Sequence, residues 1–182
     1  MTQAIFKFIL FKIGGWTIEG NNPNTIKKHL FVVAPHTSNW DFVLGIMCRV
    51  ILKINIRFIA KASLFRFPFG GFFRAMGGYP INRKKVSNFV NFMVNTFNKH
   101  EEFSVVITPE GTRSYNPNWK TGFYYIAKNA KIPIVQAGFD YSKKVITIFE
   151  PFCVGDDPKE TIDLIKSRAR TISGKYPELG VR

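Results

Sequence analysis

Short β-rich runs alternating with longer helical patterns predict an α/β domain built on a single mixed, largely parallel sheet flanked by helices. Two further observations support that class. The chain has 182 residues, the size of one domain that buries a core without help from disulfides or metals. Its apolar residues make up 46% and its charged residues 21%, near globular norms and far from disordered or disulfide-dense chains. No repeat, low-complexity tract or Gly/Ser linker divides it. Residues 17–182 are therefore read as one domain, preceded by an apolar segment over 1–16.

The elements follow in order. Ala4 to Ile13 is strongly apolar but carries Lys7 and Lys12. Ten helical residues cover about 15 Å against about 30 Å of hydrocarbon, so the segment cannot span a bilayer. It reads either as an interfacial helix with snorkelling lysines or as a helix docked on the core. Leu30-Phe31-Val32-Val33-Ala34 is a buried strand stopped by Pro35, Asp41 to Leu52 has helical spacing, and Ile56 to Ala60 is a second strand. Leu64 to Ala75, rich in Phe and broken by Gly and Pro, is irregular or short-helical. Gly77-Gly78 turns into a short strand around Pro80-Ile81. Val86 to His100 is a helix with Phe89, Phe92, Met93 and Phe97 on one stripe. Strand 103–107, helix 123–130, strands 132–139 and 145–149, and helix 158–173 with Pro158 in its first turn complete the chain.

Charge is distributed unevenly. The chain carries 26 Lys+Arg against 12 Asp+Glu, a formal +14, and within residues 1–100 the only carboxylates are Glu19 and Asp41. The first half should meet something anionic: nucleic acid, a membrane surface, a phosphorylated substrate or an acidic carrier. The two cysteines, Cys48 and Cys153, sit in apolar surroundings with no CxxC, which reads as two buried, inert thiols in a reducing compartment.

In parallel sheets, loops leaving the carboxyl ends of strands carry the site. The strand ending at Ala34 exits into Pro35-His36-Thr37-Ser38-Asn39-Trp40-Asp41. On a continuous helix His36 and Asp41 would lie about 140° apart. They can meet only with His36 in a loop and Asp41 in the first helical turn, where the carboxylate accepts the Nδ1 proton and leaves Nε2 as a general base. Taken alone, the pair is a weak signal and reads first as a helix-capping Asp beside a satisfied histidine. A second exit, Ile107-Thr108-Pro109-Glu110-Gly111-Thr112-Arg113, places an acid and an Arg in one turn, with Arg113 able to bind phosphate and Glu110 to orient it or a hydroxyl. After the short strand come Asn82-Arg83-Lys84-Lys85, a cationic cluster or simply a solvated basic turn.

These residues resemble the glycerolipid acyltransferase family, whose best-known members are 1-acyl-glycerol-3-phosphate acyltransferases. His36 and Asp41 match its HxxxxD block, Gly77 to Arg83 its Gly-rich block ending in Arg, Glu110-Gly111-Thr112-Arg113 its EGTR block, and Ile132-Pro133-Ile134-Val135 its fourth, in the family order. The family's commonest first block has Asn before the His, where this chain has Pro35. The resemblance implies a glycerol-3-phosphate acyltransferase-like fold. It implies transfer of a fatty acyl group from acyl-CoA or acyl-carrier protein to a lysophospholipid hydroxyl, in phospholipid synthesis or remodelling, at the cytoplasmic face of a membrane. His36 would be the base, Asp41 its partner, and Arg83, Glu110, Gly111, Thr112 and Arg113 would hold the acceptor. Thr37 and Ser38 beside the base are added as substrate contacts, and so is Lys61 at the second strand's exit. The implied co-substrate is the acyl thioester, with no cofactor and no metal; the implied partners are the lysophospholipid, the donor carrier and an anionic membrane surface. The resemblance implies transfer without a covalent acyl-enzyme, and no GxSxG or SxxK nucleophile signature occurs.

Three other readings compete. Acylation of another lipid, or of a small-molecule hydroxyl or amine, would use the same base. A basic nucleic-acid-binding module would explain the charge, but no RNP-type strand or zinc-finger spacing is present and the four ordered blocks stay unexplained. A metal hydrolase on His36, Asp41 and Glu110 is disfavoured by three histidines without ligand spacing. Leu64 to Arg74, with five phenylalanines and two arginines, suits a membrane interface, an acyl groove or a core helix alike.

Overall fold

The computed structural model describes residues 2–81 and 88–182. Within them one sheet is formed by β1 (Thr17–Gly20), β2 (Lys28–Val33), β3 (Ile56–Lys61), β4 (Gly78–Ile81), β5 (Phe103–Ile107), β6 (Ile134–Asp140) and β7 (Val145–Ile148). Their spatial order is β1-β7-β6-β2-β5-β3-β4. Every neighbouring pair is parallel except the β6–β7 hairpin, so the expected mixed, largely parallel sheet is what forms.

The strands are where the β-branched and aromatic runs lie, and their alternation sorts the two faces. Leu30, Val32, Val105 and Ile134 face α4 (Phe89–Lys99), α5 (Gly122–Ala130) and α6 (Pro158–Arg170), packing with Met93, Phe97, Phe123, Ile126 and Ile165 in the larger core. Phe31, Val33, Ala137 and Ile146 face the opposite way, towards α2 (Trp40–Ile51) and the N-terminal segment. Local chemistry sets the helix starts. Asn88 caps α4 by accepting from Asn91 N at 3.0 Å, and Asp157 caps α6 by accepting from Lys159 N at 2.8 Å. Each cap satisfies an otherwise orphaned amide and is worth about 1 kcal/mol.

The N-terminal segment is α-helical over α1 (Thr2–Lys7) and π-helical over Phe8–Ile13. It has two distinct sides. Leu10 is buried against Val33, Leu44, Cys48 and Phe139, and Gln3 Nε2 donates to Ile51 O at 2.7 Å. Ile5, Phe8 and Ile13 remain exposed. Among the described residues no helix is long and apolar enough to cross a membrane.

Four details depart from the sequence reading. Thr17–Gly20 is an additional strand, an edge strand too short and too exposed to show an apolar pattern. The fourth helix starts at Phe89 rather than Val86 because Asn88 caps it; residues 82–87, which hold Arg83, Lys84 and Lys85, lie outside the described part. The last helix ends at Arg170. Cys153 is exposed, whereas Cys48 is buried as expected and burial pushes its thiol up to about 12.

Candidate active site

β2, β5 and β3 are adjacent and parallel, so their carboxyl ends open on one edge of the sheet. Residues 34–39 leave β2 there and residues 108–121 leave β5. His36 sits in the first of these loops and Asp41 in the first turn of α2. The Nδ1–H of His36 donates to Asp41 Oδ2 at 2.8 Å. Asp41 is 4% exposed, and it accepts two more bonds: from Ser38 N to Oδ2 at 3.3 Å and from the Tyr141 hydroxyl to Oδ1 at 2.7 Å. Three donors on one buried carboxylate satisfy it and hold the imidazole in a single tautomer. His36 Nε2 is thereby left as an acceptor, the form a general base requires.

Tyr141 comes from the β6–β7 turn. It packs edge-on against Trp16 with ring centroids 5.0 Å apart. Burial, with the Asp41 carboxylate beside it, pushes its pKa up, so the hydroxyl stays a donor at all working pH values.

Glu110 lies on the other side of the histidine. Its Oε2 accepts from the His36 backbone N at 2.9 Å, which ties the loop after β5 to the loop after β2. The side chain is 5% exposed and Oε1 is buried without a hydrogen-bond partner among the described residues. Burial pushes its pKa up to about 7, against the opposing pull of the His36 amide. Asn116 Nδ2 braces the turn from behind by donating to Glu110 O at 2.8 Å. Gly111 turns with φ +69, a conformation costly for any residue with a Cβ. The following residues, Thr112 and Arg113, are then exposed.

The structure brings His36, Asp41, Glu110 and Arg113 into one region and places the other sequence-derived candidates differently. Thr37 is turned inward: its Oγ1 accepts from Tyr176 N at 3.2 Å and it packs against Gly174. The Ser38 hydroxyl accepts from Trp40 N at 3.2 Å at the start of α2. Thr112 Oγ1 accepts from Ser114 N at 3.3 Å. Lys61 is exposed at the end of β3 and does not line the apolar cavity between α2 and the sheet. Arg83 lies outside the described residues. His29 is buried, with Nδ1 3.0 Å from both Ile26 O and Ser104 Oγ, and desolvation lowers its pKa. His100 bonds Thr96 O at 2.8 Å. Among the described residues no group of His, Cys, Asp and Glu is arranged to hold a metal ion.

A cavity of about 390 Å³ opens beside His36. It runs between α2 and the sheet, past Gly45 and Phe58, to Leu52 and Ile54. Its walls are mostly hydrocarbon, and its polar lining near the histidine includes Thr108 and Arg113. The volume is ordinary for a small-ligand site. From Asp41 to Leu52 the helix covers about 16 Å, so the space suits an extended aliphatic chain with its reactive end at the base.

These features define an α/β protein with a half-buried histidine backed by a buried aspartate at the carboxyl edge of its sheet and an apolar cavity leading to the pair. The chain belongs to the acyltransferase family, whose model matches residues 16–139, a span that contains all four sequence blocks. It is 32% identical over 130 residues to a 1-acyl-sn-glycerol-3-phosphate acyltransferase of Streptococcus pneumoniae, covering 66% of this chain and 47% of that one. It is 33% identical over 121 residues to a 1-acyl-sn-glycerol-3-phosphate acyltransferase of Saccharomyces cerevisiae, covering 62% and 39% respectively. The match spans less than half the length of either relative. In fold it is similar to the crystal structure of the 1-acyl-sn-glycerophosphate acyltransferase PlsC from Thermotoga maritima, with a TM-score of 0.60 over 94% of this chain and 82% of that one, at 18% identity.

Proposed function

We propose that this protein is an O-acyltransferase that moves a fatty acyl group from acyl-CoA or acyl-carrier protein to the free hydroxyl of a lysophospholipid, namely 1-acyl-glycerol-3-phosphate, in phospholipid synthesis or remodelling. The observation that carries the reading is the 2.8 Å bond between His36 Nδ1 and Asp41 at the mouth of an apolar cavity. His36 Nε2 takes the proton of the acceptor hydroxyl as its oxygen attacks the thioester carbonyl. The tetrahedral intermediate collapses, the C–S bond breaks, and the imidazolium returns the proton to the departing thiolate. The products are an ester and a free thiol. A thioester is already activated, so a positioned base worth about 10²–10⁴ in rate suffices together with binding energy. The reaction so written uses neither metal nor cofactor beyond the thioester co-substrate.

In this reading the cavity along α2 houses an acyl chain, and Arg113, with Arg83, engages the acceptor phosphate. Glu110 has two tasks, bracing His36 and facing the acceptor. Residues 17–182 form the catalytic unit, and the N-terminal segment over 1–16 lies at the cytoplasmic face of a membrane, where the acceptor resides. Support for that placement comes from the homologues' named lipid chemistry, the exposed Ile5, Phe8 and Ile13, and the strongly basic first half.

The test is thiol release from acyl-CoA and acyl-carrier protein with a panel of lysophospholipids. His36→Ala should abolish release while the circular dichroism spectrum stays unchanged. Full activity in that variant would remove His36 as the base.

A further inference from the structure

The connection from β3 to β4, which contains the short helix α3 (Gly70–Ala75), presents several of its apolar side chains to solvent. Leu64 is 44%, Phe67 99%, Phe69 65% and Phe72 62% exposed. Loose folding does not account for this. Phe65 in the same turn is buried, and a Cβ on Gly78 would meet its ring at 2.7 Å. Gly70 packs so closely on the Phe65 carbonyl that no side chain fits there, and the Arg74 guanidinium lies 5.7 Å over the Phe65 ring. One phenylalanine anchors the turn, so Phe67, Phe69 and Phe72 are held outward.

The turn also has a defined side. Gly78 is in register with Phe58 on β3, and Phe58 faces α2, meeting Phe42 edge-on at 4.9 Å. Parallel partners in register point to the same face. Phe65 and the turn built on it therefore lie on the α2 face, the face that holds the apolar cavity and receives the N-terminal segment. On α2, the exposed Trp40, Phe42 and Val43 stand next to Asp41. From residue 42 to residue 100 there is no Asp or Glu, whereas Arg66 and Arg74 flank the exposed rings.

We infer that residues 64–74 form a membrane-inserting wedge, with Phe67, Phe69 and Phe72 entering the boundary between headgroups and acyl chains and Arg66 and Arg74 binding the phosphates of anionic lipids. Interleaved rings and cations match that layered medium, and the absence of acidic residues matches its charge. A protein partner would offer a concave apolar pocket for hot-spot rings, and a cationic rim would require an acidic surface around it; the bilayer supplies both at once. The inference rests on the acyltransferase reading only in taking the acceptor to be met at a membrane. It differs from the placement of residues 1–16 there, because it gives the insertion to a second element near the cavity.

The experiment is co-sedimentation of the full chain with phosphatidylcholine vesicles, with and without phosphatidylglycerol. Phe67→Ser/Phe69→Ser should weaken binding at least about tenfold in both compositions. Arg66→Gln/Arg74→Gln should weaken it only on phosphatidylglycerol vesicles. Because the Phe67 side chain is almost fully exposed, Phe67→Trp should fold normally, and its emission should be quenched by brominated lipid. Unchanged binding of the double serine variant, or a loss confined to Phe8→Ser/Ile13→Ser, overturns the inference. So does a dimer of the parent that Phe67→Ser/Phe69→Ser dissolves in analytical ultracentrifugation, which would mark the patch as a contact between copies. Thiol release with water-soluble short-chain substrates should be the same in the double serine variant and the parent. A parent that binds vesicles through this turn but releases no thiol sinks the proposed reaction and leaves the wedge standing; release without turn-dependent binding does the reverse.

Discussion

The Tyr141 hydroxyl donates to Asp41 Oδ1 at 2.7 Å, so the carboxylate that orients His36 is itself held from the end of the neighbouring strand β6, by a residue 100 positions away in sequence. Ring and hydroxyl are separable by mutation. Tyr141→Phe keeps the stacking on Trp16 and removes one charge-assisted hydrogen bond of about 1.5–3 kcal/mol. As a positioning residue, Tyr141 should affect kcat by about ten- to a hundredfold with KM unchanged, because it bonds Asp41 and does not line the cavity. Asp41→Asn should cost more, since the amide can present its N–H to the ring and favour the wrong tautomer. A rise in KM without a fall in kcat for Tyr141→Phe would place the tyrosine in binding instead.

Glu110 couples folding to pH. Its pKa rises from 4.5 unfolded to about 7 folded because the carboxyl is buried. Between those values the folded protein keeps a proton that the unfolded chain has lost, so stability falls as pH rises through the window. The loss is about 3 kcal/mol by about pH 8. Glu110→Gln retains an oxygen that can accept from His36 N but cannot ionise. Calorimetric melting should show parent and variant nearly equal near pH 4.5 and the variant several degrees more stable near pH 8. Parallel profiles would mean that Glu110 is not desolvated in solution.

What could be read from the sequence was local. His36 and Asp41 are joined by one loop, Glu110 to Arg113 are contiguous, and the buried strands are uninterrupted apolar runs. What could not be read joins distant segments. The bond from His36 N to Glu110 crosses 74 positions, and Tyr141 belongs to no motif, so no spacing signals either. Thr37 adjoins His36, and its hydroxyl accepts from Tyr176 N of the C-terminal segment, a pairing that no spacing signals. The aromatic stretch after β3 suited core, groove or interface equally. Only the burial of Phe65 beneath an exposed Phe67 separates those uses, and periodicity in a Gly/Pro-broken segment does not encode it.

Arg113 is exposed at the cavity mouth, with no carboxylate partner among the described residues. A guanidinium placed this way is free to take a phosphate in two parallel bonds. Arg113→Ala should raise KM for a lysophospholipid with a phosphomonoester about tenfold or more and change kcat little. Arg113→Lys should recover part of the loss, since charge survives without the planar fork. Equal KM values for phosphate-bearing and neutral acceptors in the parent would detach Arg113 from that role.

Gly45 lies on α2 one turn after Asp41 and lines the cavity. A glycine inside a helix costs about 1 kcal/mol relative to alanine, and among the described residues the packing does not demand it: a Cβ there would meet Phe139 Cζ alone, at 3.9 Å. The missing side chain instead keeps the passage along α2 open close to His36. Gly45→Ala should therefore raise the melting temperature by a few degrees with modest kinetic effect. Gly45→Leu should fill the passage and shift donor preference towards short acyl thioesters, lowering kcat/KM for palmitoyl donors about tenfold or more while acetyl and butyryl donors keep their rates. Equal losses across all chain lengths would mean that the acyl chain does not run along α2.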